Sequence, residues 1–226
     1  MKRAAIGLGI LLIITVGARI AAQGAKYSLK VGEAAPPKEL SESIRALLAK
    51  QPVLFQNDQG KTLCEIWFRQ EVPADATPEQ VKNGLSYREI KQSEILGAIR
   101  FDEDWYDYRK QKVKAGVYTL RLAYQPQDGD HMGASEFTEF CAIVAADKDT
   151  KPDLMDAKHL SEVSAKSVNT GHPGVFMLFP NLKPANAPEL AAKPRNHWVV
   201  NTKEAVNAKG TKTSIGIGLT VIGAAE

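Results

Sequence analysis

The sequence predicts a mainly β protein: an antiparallel β-sandwich with two or three short helices. Three observations predict it. Short apolar or alternating runs recur along the chain, punctuated by turn residues. Residues 117–124 (VYTLRLAY) set Tyr118, Leu120, Leu122 and Tyr124 against Thr119, Arg121 and Ala123, the pattern of a half-buried strand. Helical spacing appears only in brief stretches.

The elements follow in order. Residues 27–31 form a first strand, broken by Pro36 and Pro37. Leu40, Ile44, Leu47 and Leu48 share one helical face, and Pro52 ends that helix. Residues 53–55 and 62–70 make a hairpin around the turn at 57–60, with Cys64, Ile66 and Phe68 on one face and Glu65, Trp67 and Arg69 on the other. Thr77, Pro78 and Gln80 carry the signature of a capped helix start, which Gly84 stops. Strands are expected at 85–90 and 95–101, followed by the charged, aromatic stretch 102–109. After 117–124, a polar loop at 125–136 leads to a strand at 137–145. Asp156 caps a helix carrying Leu160 and Val163, and 175–179 is a short apolar strand. The Pro- and Ala-rich segment 183–196 reads as an extended connection. Strands at 197–200 and 215–222 complete the body. In the last, Gly216 and Gly218 leave one face without bulk, where another backbone or an aromatic ring can come close.

The chain has 226 residues, 44% of them hydrophobic and 24% charged, which suits one soluble domain. Residues 1–24 stand apart. Lys2 and Arg3 precede an uncharged run at 4–18, and small residues follow at 21–25. This is the plan of a signal peptide, cut after Ala22 or Gly24. The alternative is an inner-membrane anchor at 4–22 with Arg19 snorkelling. The body, 25–226, is then one periplasmic or secreted β-sandwich domain. Of 29 basic and 26 acidic residues, Lys2, Arg3 and Arg19 lie in the leader, so the body is formally neutral. Neutrality argues against a nucleic-acid partner and against a polybasic membrane surface. Contact with a membrane runs only through an uncleaved leader.

Candidate chemistry centres on the loop at 127–133. Asp128 and Asp130 flank Gly129 and can turn their oxygens to one cation, with Asp104 from a neighbouring loop. An all-oxygen set suits calcium, and His131 shifts the preference towards a transition metal. A solvated Asp-Gly turn is the simpler reading. A blue-copper site lacks its Cys on the strand at 116–124. The four histidines, His131, His159, His172 and His197, have no HxH, HExxH or HxxxH spacing, and a simpler site of His131 with His172 or His197 is a further alternative. Nucleophile elbow, phosphate loop and Cys-x-x-Cys motif are all missing. Trp105 and Tyr106 are candidates for an aromatic binding platform, alongside Trp67, Tyr108 and Tyr124. Cys64 and Cys141 are a disulfide candidate if the compartment is oxidising, or two buried thiols.

Four segments taken together carry a resemblance: TLCEIWFR at 62–69, DWYDYRKQ at 104–111, AGVYTLR at 115–121 and QDGDHMG at 127–133. They resemble a group of uncharacterised secreted proteins of environmental bacteria such as planctomycetes and acidobacteria, over about residues 54–180. The resemblance implies export and a β-sandwich, and transfers no activity. The expected function is a non-catalytic extracytoplasmic binding module, or an accessory subunit beside an envelope protein or membrane complex. Metal binding through Asp128, Asp130 and His131 is the alternative, and a hydrolase ranks last.

Overall fold

Alternating side chains along successive strands build one continuous sheet. The computed structural model describes residues 26–126, 128–129 and 135–225, so the leader at 1–24 lies outside it. In chain order the elements are β1 (Tyr27–Val31), α1 (Glu42–Arg45), β2 (Val53–Asn57), β3 (Thr62–Phe68), β4 (Glu71–Ala74), α2 (Pro78–Asn83), β5 (Ile95–Phe101), β6 (Trp105–Tyr106), β7 (Lys112–Val113), β8 (Gly116–Tyr124), β9 (Glu139–Ala145), α3 (Ala157–Val168), β10 (Gly174–Pro180), β11 (Glu189–Lys193), β12 (His197–Ala208) and β13 (Thr211–Ile222). Eleven strands join in the order β1-β2-β3-β5-β8-β9-β10-β13-β12-β11, with β4 also on β12. β6 and β7 form a separate small hairpin. All of these pairings are antiparallel except β4 with β12.

The protein is mainly β, with few and short helices, as its alternation predicts. β10 is shared between two halves of the sheet. Its residues 174–177 pair with β9 and residues 178–180 pair with β13. The sheet curls there, and the inner faces of the two halves meet. Phe55, Ile66, Leu120 and Ile143 from the first half join Val200, Val206, Ile217 and Leu219 from the second in one buried cluster. Each such side chain contributes about 1.5–3 kcal/mol on burial, so this cluster dominates stability. The curl brings β1 back to the far end of the sheet, beside β11 and β12, where Tyr27 meets Trp198 edge-to-face at 4.9 Å.

Two outer patches are also covered. Ser41 caps α1, and the segment around it lays Leu40, Ile44 and Leu48 over Trp67 on the outer face of β3. The Trp67 indole N–H donates to Ala34 O at 3.0 Å. α3, capped by Asp156 and stopped by left-handed Asn169, packs Leu160 over Ala142 and Val144 of β9.

Several expectations change in the structure. Residues 85–90 do not form a strand. Ser86 and Glu89 close a capping box around a short 3-10 turn at Tyr87–Glu89, and the Tyr87 hydroxyl reaches inward to Phe179 O at 3.0 Å. The segment 183–196 is not merely a connection, because β11 lies in it. β12 and β13 are longer than expected and form a hairpin through Lys209 and Gly210. Both turn residues have positive φ, at 51° and 95°. Two-residue hairpin turns of this kind usually announce themselves as Asn-Gly or Asp-Gly, and Lys-Gly does not. The capped helix at Thr77 forms as expected, with both halves of its capping box. The bare glycine face is also explained: a Cβ on Gly216 would stand 2.0 Å from Asn181 O, and one on Gly218 2.6 Å from Phe179 O.

Candidate functional site

Of the places where the described residues put polar groups away from water, three bear on a site, and two of these are architectural. The first lies on the outer face of β8. Arg121 and Asp149 are both fully buried. Arg121 donates from Nε to Asp149 Oδ2 (2.7 Å) and from one terminal nitrogen to Asp149 Oδ1 (2.8 Å) and Lys151 O (2.7 Å). Its other terminal nitrogen donates to Ser93 O (2.7 Å) and Asp153 O (3.1 Å). A guanidinium has five N–H donors, and all five are used. The Thr119 hydroxyl donates to the same carboxylate. The pair clamps the segment at 149–153 across the sheet.

The second is Asp107, which is 2% exposed. Its Oδ1 accepts from the backbone N–H groups of Arg109 (2.9 Å) and Gln111 (2.8 Å). Its Oδ2 accepts from the Gln111 side chain (2.8 Å) and the Val175 N–H (2.9 Å). This carboxylate ties the β6–β7 hairpin to β10, and its neighbours in 102–109 do other work. Asp102 lies beside Arg100 and Glu103 pairs with Lys61.

The described residues among those singled out in the sequence form no metal-ligand cluster. Asp130 and His131 lie outside the described residues. Asp128 is exposed on its turn. Asp104 is engaged elsewhere: Lys112 lies 2.6 Å from it and Ala115 N donates to it at 3.1 Å. The hydrogen bond from Lys112, first, and that from Ala115 hold the Asp104 carboxyl below its ordinary range. Among the described residues, no three His, Cys, Asp or Glu side chains come together as metal ligands. Trp105 and Tyr106 point to opposite sides of β6. Trp105 stacks on Phe101 at 5.5 Å and donates to Val221 O at 3.1 Å, whereas Tyr106 is 63% exposed. Trp67, Tyr108 and Tyr124 are buried or half-buried, so the five aromatics do not form a platform.

Cys64 and Cys141 are free and buried. Both face the inner core, but β5 and β8 lie between their strands. Three strand spacings are about 14 Å, beyond the reach of a disulfide. Burial pushes both thiols up, so they stay protonated. His197 is buried against Tyr108 at 5.4 Å, and its Nδ1 meets Pro194 O at 2.8 Å. His159 and His172 are exposed.

The third place was not found from the sequence. Along β12 the core-facing positions are Val200, Thr202, Glu204, Val206 and Ala208, and two of these five are polar. Thr202 is 4% exposed, and its hydroxyl has no hydrogen-bond partner. It stands close enough to favour an ionised Glu204 without reaching hydrogen-bond geometry. Glu204 is half-buried, and burial, the largest influence on it, raises its carboxyl above the ordinary value. Both line a cavity of about 110 Å³ where the start of β2 and the end of β3 face β12. Ala49, Val53, Phe68 and Pro188 give it apolar walls, and Gln51 and Asn186 add amides. Lys203 also borders it, but its ammonium is turned to Asn186 Oδ1 at 3.1 Å. Glu204 makes no ion pair among the described residues. The signal was present in the sequence as an alternation of Val, Thr, Glu, Val and Ala, but it appears only once β12 is known to run past residue 200.

A larger open groove of about 470 Å³ lies beside β4. Its charged groups are largely paired, Asp75 with Lys209 and Glu94 with Arg69. The β4 edge is blunted as well: Pro73 has no N–H, and Arg69 Nε occupies Glu71 O at 2.9 Å. No helix among the described residues is long and apolar enough to cross a membrane. Comparison with family models, with curated proteins and with solved structures finds no match to this chain.

Proposed function

We propose that this protein is an exported, non-catalytic binding module whose site is the cavity at Thr202 and Glu204. One observation carries the reading. A carboxyl and an unpartnered hydroxyl occupy the core face of a strand whose other inward residues are apolar. An unpaired buried polar group costs about 1–3 kcal/mol, and valine in place of Thr202 would avoid that cost. Retaining both groups beside an open cavity fits a place where something else supplies the missing partners. Export rests on the leader at 1–24, and the neutral body suits a small or uncharged-surface partner better than nucleic acid.

The test is a screen of small polar compounds against the mature protein by methyl and carboxyl NMR. Resonances of Thr202 and Glu204 should shift, saturably, with at least one chemical class. If no compound at millimolar concentration moves either resonance, the cavity is not a binding site. Export is checked separately, by fractionating cells and sequencing the mature N-terminus.

A further inference from the structure

The same cavity limits what can fill it, and this inference rests on the binding reading above. We infer that the occupant is a small primary amine, bound as its ammonium ion with a short aliphatic stem.

Charge is the first constraint. Glu204 is the one carboxylate among the lining residues, and no cation pairs with it. An anion is repelled there. With the Lys203 ammonium exposed and turned to Asn186, a monovalent cation balances Glu204, whereas a divalent ion overbalances it. Calcium also wants six to eight oxygens, which these side chains cannot furnish. Asn186 Oδ1 is already taken by Lys203.

Hydrogen bonding is the second. An ammonium head has three N–H donors and no acceptor. Two carboxylate oxygens of Glu204 and Thr202 Oγ1 are three acceptors on one face of β12. The Thr202 hydroxyl is buried, stands beside the Glu204 carboxyl and makes no well-formed hydrogen bond within the protein. A ligand donor at that point supplies the absent bond.

Shape is the third. The apolar walls, Ala49, Val53, Phe68 and Pro188, accept methylene groups. The Phe68 ring attracts a cation over its face. The volume of about 110 Å³ is well below the roughly 300–1,000 Å³ of pockets that hold drug-sized ligands. An ammonium head with two to four carbons is the matching size.

Calorimetry and carboxyl NMR on the mature protein at fixed neutral pH test this, with n-propylammonium, 1-propanol, propionamide and propionate as probes. The amine should bind at least tenfold more tightly than its three isosteres. Glu204→Gln and Thr202→Val should each weaken it, the former by about tenfold or more, the scale of a lost charged hydrogen bond. Both variants keep the shape of the side chain, and a cooperative melt no lower than that of the parent protein confirms that they fold. If propanol or propionamide binds as well as the amine, or if Glu204→Gln keeps full amine affinity, the amine assignment is wrong while the cavity stands as a binding site. If none of the four probes shifts Glu204 or Thr202 and the broader screen is also silent, both readings fall.

Discussion

The outer face of β8 and the inner face of β12 treat charge in opposite ways. On β8, Arg121 sits fully buried with every donor matched and a bidentate carboxylate opposite it. On β12, Glu204 pairs with no cation among the described residues, and the neighbouring Thr202 hydroxyl makes no well-formed hydrogen bond. Buried charge is therefore not in itself a sign of function. A completed hydrogen-bond set marks architecture, and an incomplete one beside an open space marks a place for something else.

The largest effect should come from breaking the completed set. Asp149→Ala leaves a guanidinium buried without its counter-charge and should cost about 3–5 kcal/mol in urea denaturation. A loss below about 1 kcal/mol would show that the segment at 149–153 is held by something else. Asp107→Ala removes the acceptor of four N–H groups and should cost about 2–3 kcal/mol, with faster hydrogen exchange at the Gln111 and Val175 amides. Unchanged exchange at both amides would contradict its role as the tie between hairpin and β10.

The incomplete set should respond in the other direction. Glu204→Gln should stabilise the empty protein, by about 1 kcal/mol at pH 8, because it removes a half-buried carboxylate without a counter-charge. The pH dependence gives the sign. Burial raises the folded carboxyl above its ordinary 4.5, so the folded state holds the proton more tightly than the unfolded chain. Below about 4.5 both states are protonated and nothing is lost. As pH rises from there through the folded value, stability falls, then levels. The Gln variant should lack that fall, and parallel melting curves of the two proteins from pH 4 to 8 would remove Glu204 from the account. The smallest effect is expected at Tyr106, whose exposed ring touches little: Tyr106→Ser should stay within about 0.5 kcal/mol by thermal melting.

The same contrast explains what could be read from the sequence. The inward residues of β3 and β8 are apolar at every second position, so period-two reading found both strands and their faces. The helix caps at Thr77 and Asp156 were legible because capping is local chemistry. Residues 85–90 have strand-like composition, yet the Ser86–Glu89 box and the buried Tyr87 hydroxyl turn them into a 3-10 turn. β12 was cut short at residue 200 because Thr202 and Glu204 interrupt its apolar face. The residues that hid the strand are those that line the cavity. The loop at 127–133 lies mostly outside the described residues, and Asp104, its expected fourth ligand, is paired with Lys112. Which side chains face each other across a curled sheet depends on contacts far apart in sequence, and no local pattern records them.

The cavity joins residues 49–68 to residues 186–204, so its two walls come from opposite ends of the chain. The parallel pairing of β4 with β12, which links Glu71 to Ala205, closes the same long circuit. Contacts so distant in sequence form late and slowly. A chain threaded through a translocation channel from its N-terminus would have to deliver nearly its whole length before the second wall could arrive. On the binding reading proposed above, no partly emerged chain could hold a ligand, and occupancy of the cavity would report that delivery is complete.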